Sequence, residues 1–152
     1  HSFPTRRSSD LLLFRLLDDG TMRFLGDPAG LPTEPALLAG EAAALEDSHA
    51  RYARTGTLTW PEPEDPRSPG DPATLVTQLG GEPFDGNWVA TEPPTSIVVQ
   101  HSVSAAPTVR LMDGSPFTFV AMTAGYPWRE DGADLILVFF EPTSRTVAIT
   151  FD

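Results

Sequence analysis

Five short apolar runs between Ser96 and the C-terminus constrain the fold most strongly. They are five to eight residues long, are rich in β-branched and aromatic residues, and have the sequences SIVVQHSV, TVRLM, FTFVAMT, DLILVFFE and RTVAITF. Clusters of Gly, Pro, Asp and Ser separate them, which is typical of consecutive strands joined by turns. We therefore expect a β-rich second half. The DLILVFFE run is apolar on both faces, which predicts a central strand.

The first half of the chain predicts a hairpin and one helix. Asp19-Gly20 lies between the apolar runs LLLFRLL and TMRFL and is a strong two-residue turn signal. A helix over residues 11–17 is the weaker alternative, because Gly20 would end it after barely two turns. A longer helix is predicted over Glu34–Arg54, where Pro35 suits the first turn and Gly56 follows the end. Apolar residues such as Leu45 recur on one face of that helix.

Together these elements predict an α+β fold. We expect one mainly antiparallel, twisted sheet, closed as a sandwich or partial barrel, with the helix at about 34–54 packed on one face. The stretch Pro61–Pro72 is too rich in proline and acidic residues to form a strand ladder or a helix, so it predicts an exposed loop. Residues 12–152 are then a single domain.

The first eleven residues, HSFPTRRSSDL, resemble the translation of a widely used short-read sequencing adapter. We expect residues 1–11 to be non-native and disordered, with native sequence beginning near Leu12 and the true N-terminus missing. An organellar transit peptide is the alternative for such an Arg- and Ser-rich start, but ten residues containing Pro4 are too few for an amphipathic transit helix. The chain also ends within a strand pattern, so its C-terminus is either native or truncated.

Charge and composition narrow the classes of function. The chain has 10 basic and 21 acidic residues and a net charge of −11, which argues against nucleic acid or an anionic membrane as a partner. It lacks cysteine, which excludes disulfides and thiol catalysis, and a cytoplasmic location is the simplest expectation. No apolar run approaches the roughly 18–20 residues of a membrane-spanning helix. No cofactor motif is present.

Catalytic candidates are few and each has a structural explanation. His101 shares a strand face with Ile97 and Val99, so it is expected to point into the core, where a hydrogen-bonded histidine is commoner than a catalytic one. Asp113 and Asp131 each precede a glycine and are first of all turn residues. No spacing of histidines predicts a metal site, and no GxSxG elbow is present. A hydrolase that uses turn carboxylates with His101 as its base is therefore the alternative, and the protein is expected not to be an enzyme.

Two aromatic loops, Leu79–Trp88 and Gly125–Trp128, are the binding candidates. The first combines a double glycine with an expected aromatic cluster of Phe84 and Trp88, and the second contains GYPW. Such loops either contact a partner or cap the core. The candidate contact residues are Gly81, Trp88, Tyr126 and Trp128. The leading hypothesis is a non-catalytic module that binds a protein or a small molecule at these loops.

The motifs GGEP (Gly80–Pro83), Trp88, PFTFVA (Pro116–Ala121) and GADLILVFF (Gly132–Phe140) are similar to those of the YwqG-like bacterial family, whose function is uncharacterised. Met122 stands where the glutamine of that family would fall. The resemblance implies a sheet-rich α+β fold and a cytoplasmic bacterial protein, and it carries over no functional residue.

Overall fold

A computed structural model describes residues 11–30, 35–60, 71–90, 94–102, 105–129 and 133–152. Within these ranges the chain forms one α-helix, α1 (Pro35–Thr55), and two 3₁₀ turns, Pro28–Gly30 and Asn87–Ala90. The strands are β1 (Leu11–Leu16), β2 (Met22–Phe24), β3 (Leu58–Thr59), β4 (Pro72–Ala73), β5 (Gln78–Leu79), β6 (Ile97–Ser102), β7 (Ala105–Leu111), β8 (Thr118–Thr123), β9 (Ile136–Glu141) and β10 (Thr146–Phe151). The predicted α+β class is confirmed.

Six strands form the main sheet, in the order β2-β1-β10-β9-β8-β5. β1 runs antiparallel to both neighbours, with Leu13 opposite Ala148 in β10 and Phe14 opposite Phe24 in β2. β9, the predicted central strand, lies inside the sheet and alternates buried with half-buried residues. Two further sheets have two strands each, β3 with β4 and β6 with β7.

The predicted hairpin is confirmed at β1 and β2. Gly20 adopts a φ of 82°, a left-handed conformation that a residue with a Cβ takes only with strain. The Asp19 carboxylate accepts hydrogen bonds from the backbone N–H and the hydroxyl of Thr21, at 2.9 and 2.6 Å. These bonds lower the pKa of Asp19 from its usual value, the Thr21 hydroxyl having the largest effect.

The helix α1 begins and ends close to the predicted residues, but the burial of Ser48, among its described side chains, was not predicted. Gly56 follows the helix with a φ of 69° and donates its N–H to the carbonyl of Tyr52 at 2.7 Å. Leu45, on the expected core face, is 41% exposed, whereas Ser48 is only 4% exposed. Its hydroxyl donates to the carbonyl of Trp128 at 2.5 Å, and this bond offsets the cost of burying a polar side chain.

The chain divides into two compact units, each with buried residues of its own. The first unit consists of residues up to Gly26, Gly80–Ala121 and Leu137–Asp152, and the second of Asp27–Leu79 and Met122–Ile136. The largest fully buried side chains of the first unit are Trp88, Phe139, Leu137, Val109 and Thr150. In the second unit Leu58 is 1% exposed and lies in β3, which packs beside α1.

Leu11, assigned by the sequence to the adapter-like segment, is the first residue of β1 and is 3% exposed. Residues 1–10 and most of the predicted Pro61–Pro72 loop lie outside the described residues. Pro72 itself belongs to β4 and pairs with Thr59. Among the described residues, α1 is too polar to cross a membrane and no other helix has sufficient length.

Candidate functional site

The loop Gly80–Trp88 is part of the first unit, and its last residue, Trp88, anchors it in the core of that unit. Trp88 is 0% exposed, and its ring centroid lies 5.4 Å from that of Phe139 in β9. Its indole N–H donates to the carbonyl of Phe84 at 2.7 Å, and its backbone N–H donates to the carboxylate of Asp152 at 3.2 Å. The sequence predicted an aromatic cluster of Phe84 and Trp88 and listed Trp88 as a contact residue, whereas the structure buries the Trp88 ring against Phe139.

The glycines of the loop fix its path. Gly80 and Gly81 both adopt positive φ, 60° and 79°, and Gly80 donates its N–H to the carbonyl of Val120 at 2.8 Å. At Gly86 an added Cβ would lie 2.5 Å from the Asp152 carboxylate and 2.7 Å from the Phe84 ring. Gly81 therefore permits a left-handed bend of the backbone, and its predicted contact role stays a prediction. Gly86 permits a close approach that the sequence had not singled out.

Four side chains of the loop are exposed, those of Glu82, Phe84, Asp85 and Asn87. Phe84 is 47% exposed although its carbonyl is bound by Trp88. The Asp85 side chain is 54% exposed, and both of its carboxylate oxygens lie 3.0 Å from Nε2 of His101 in β6. The loop thus presents an aromatic ring beside a carboxylate–imidazole pair on a fixed backbone.

The prediction that His101 points into the core is wrong. Its side chain is 38% exposed. The β6–β7 ladder contains a register irregularity at His101, where one residue of β6 lies opposite two residues of β7, and such a bulge alters the local twist of the strand pair. The Asp85–His101 pair joins residues 16 positions apart, and nothing in the sequence marks them as partners.

The carboxylates of Asp113 and Glu141 are used to build turns. Asp113 accepts the backbone N–H of Ser115 at 2.9 Å, which lowers its pKa, and Gly114 follows with a φ of 91°. The turn prediction for Asp113 is thereby supported by geometry. Glu141 is 3% exposed, and its pKa is lowered by hydrogen bonds from the hydroxyl and backbone N–H of Ser144 and from the N–H of Thr143. Asp131 lies outside the described residues.

The second predicted loop, Gly125–Trp128, is fixed at both ends within the second unit. Gly125 donates its N–H to the carbonyl of Ala133 at 3.0 Å, and the carbonyl of Trp128 accepts the Ser48 hydroxyl of α1. Tyr126 and Trp128 are both half-buried. The indole of Trp128 contacts the rings of two α1 residues, His49 and Tyr52, a contact that the helical spacing alone could not have identified.

Among the described residues, no group of three or more His, Asp or Glu side chains is arranged to hold a metal ion. No family model matches the chain, and no curated protein and no solved structure shows significant similarity to it.

Proposed function

We propose that the protein is a non-catalytic binding module whose Gly80–Trp88 loop docks a segment of a partner protein. The observation that carries the proposal is the contrast within the loop: Trp88 is 0% exposed, whereas Phe84, four residues earlier, is 47% exposed. A loop whose conformation is already fixed loses less entropy on binding, so more of its contact energy becomes affinity.

The chemistry of the loop indicates the kind of partner. An exposed aromatic ring supplies apolar contact area of the kind that dominates protein interfaces. Asp85 adds a negative charge beside it, on a chain with a net charge of −11. The complementary segment therefore carries an apolar side chain for Phe84 and a lysine or arginine for Asp85.

Peptide selection tests this function. A random phage-displayed peptide library is selected on the wild-type protein, and the enriched peptides are synthesised and titrated by fluorescence anisotropy. Phe84→Ala is expected to weaken binding by about tenfold or more, as truncation of a central interface aromatic does. Asp85→Asn should weaken binding and reduce its salt dependence.

Met112→Ala is the matched control, because Met112 is also an exposed apolar residue of the first unit, at 65%. The M112A variant should bind the selected peptides as tightly as the wild type. Peptides that bind the F84A variant and the wild type with equal affinity would contradict the proposal.

The Asp85–His101 pair favours a hydrolase as the second candidate function. If Nε2–H of His101 donates to Asp85 at 3.0 Å, the lone pair on Nδ1 is available to act as a general base. Hydrolysis of a panel of p-nitrophenyl esters, phosphates and glycosides tests this. General-base catalysis predicts that His101→Ala lowers a measurable rate of hydrolysis by about 100-fold or more. Equal rates in the wild type and the H101A variant would refute it.

A further inference from the structure

A cluster of α1 side chains surrounds Trp128 in the second unit, away in sequence from the Gly80–Trp88 loop. The ring centroids of His49 and Tyr52 lie 5.2 and 5.8 Å from that of Trp128, with His49 edge-on at 87°. The hydroxyl of Ser48, also in α1, donates a hydrogen bond to the backbone carbonyl of Trp128. Nη2 of Arg51 in turn donates to the Ser48 hydroxyl at 3.1 Å. We call these five residues the α1–Trp128 cluster.

The cluster is partly open to solvent. His49 is exposed, and the Tyr52, Arg51 and Trp128 side chains are half-buried. A core aromatic group would be closed on all sides, as Trp88 is at 0% exposure. The rings of the α1–Trp128 cluster therefore offer surface to a ligand without any movement of the backbone.

Several polar atoms of the cluster have no protein partner among the described residues. Within the described part of the chain, the indole N–H of Trp128, the Tyr52 hydroxyl and the imidazole of His49 make no hydrogen bond. Nε of Arg51 is shielded from solvent and also lacks a partner. Ligand hydroxyls can hydrogen-bond to the polar groups of Trp128, Tyr52 and His49, whereas the Arg51 Nε atom is closed to solvent and therefore to a ligand.

We propose that the α1–Trp128 cluster binds a neutral saccharide. A pyranose ring has an apolar C–H face that stacks on an aromatic ring and a rim of hydroxyls that donate and accept hydrogen bonds, which matches aromatic rings bordered by unused polar atoms. The Arg51 guanidinium disfavours a cationic ligand, and the net charge of −11 disfavours an anionic one. The site lies on different residues from the proposed protein-docking loop and does not depend on it.

Indole N–H signals in ¹H–¹⁵N correlation spectra of the full chain test the proposal. The chain has three tryptophans, and the signal of Trp88 is an internal reference because its N–H is already bound to the Phe84 carbonyl. The signals are assigned with Trp→Phe variants. The probes are cellobiose, methyl β-D-galactopyranoside and N-acetylglucosamine. We expect at least one to shift the Trp128 signal saturably, with a Kd of about 1 mM or below, while the Trp88 signal stays in place.

His49→Ala and Tyr52→Ala should each weaken this binding by about fivefold or more, because each removes a ring and a polar group from the cluster. Alanine favours helix, and circular dichroism verifies that α1 is retained. Arg54→Ala is the control, since Arg54 is an exposed residue of α1 outside the cluster. The proposal is overturned if no probe shifts the Trp128 signal, or if H49A and Y52A bind the active probe as the wild type does.

Discussion

Replacement of Trp88 by phenylalanine tests whether the Gly80–Trp88 loop is fixed by its buried end. The substitution keeps an aromatic ring against Phe139, at 5.4 Å in the wild type, but removes the indole N–H that bonds to Phe84 at 2.7 Å. Loss of that hydrogen bond costs about 1 kcal/mol. The smaller ring also leaves unfilled volume of roughly 35 Å³ in a rigid core, which costs about 1 kcal/mol more.

The expected loss is therefore about 2 kcal/mol in the free energy of unfolding, measured by urea denaturation followed by circular dichroism. For a chain of 152 residues this corresponds to a fall in Tm of about 4–8 °C. Because the variant lacks the hydrogen bond from the Trp88 indole to the Phe84 carbonyl, Phe84 is less firmly positioned. The peptides selected on the wild type should therefore bind the W88F variant more weakly.

Trp128→Phe is the matched control, since Trp128 is half-buried and its indole N–H makes no hydrogen bond within the described part of the chain. It should cost less than about 1 kcal/mol. Wild-type stability in W88F, or an equal loss in W88F and W128F, would refute the assignment of Trp88 as the residue that holds the loop.

Two further predictions concern close packing and a buried carboxylate. Gly125→Ala should destabilise the protein, because the added Cβ would lie 2.6 Å from the backbone oxygen of Ala133. Gly40→Ala in α1, where the added Cβ meets open space, should instead stabilise the protein by about 0.5–1 kcal/mol. Thermal denaturation of both variants measures this contrast, and equal effects on Tm would contradict it. The lowered pKa of Glu141 means that its hydrogen bonds from Ser144 stabilise the fold above the unfolded-state pKa and are lost as pH falls through the folded-state value. Glu141→Gln should therefore be less stable than the wild type near neutral pH, with the difference narrowing as pH falls below the usual range of a glutamate carboxyl; a difference independent of pH would contradict this.

Elements specified by neighbouring residues could be predicted from the sequence. The Asp19-Gly20 turn needs only two residues with the right backbone preferences, and it forms between β1 and β2 as expected. The end of α1 at Gly56 and the strand at Ile136–Glu141 follow in the same way from local signals.

Side-chain exposure was harder to predict where periodicity is interrupted or weak. His101 is exposed where the β6–β7 register is irregular, between Gln100 and Ser102, and strict alternation cannot anticipate such an irregularity. In α1 a polar residue, Ser48, is buried, and its hydroxyl bonds to a residue 80 positions away that helical spacing cannot identify. Strand β10 shows the same limit, since Thr150 is 0% exposed despite its polar side chain.

The candidate site depends on contacts between distant parts of the chain. Trp88 bonds to Asp152 across 64 positions and packs on Phe139, and Asp85 meets His101 only because the loop is held beside β6. The double glycine and Trp88 led the sequence analysis to this segment, whose binding role stays a prediction. Which of its side chains is buried and which is presented could not be derived from spacing, because both outcomes fit the same local pattern.

Mapping of a selected peptide onto the protein by amide chemical shifts tests the proposed docking loop most directly. We expect the largest saturable shifts in residues 80–88 and at His101, around the exposed Phe84 ring and the Asp85–His101 pair, with little change at the Met112–Gly114 turn. Saturable binding whose shifts fall elsewhere and leave residues 80–88 unchanged would contradict it.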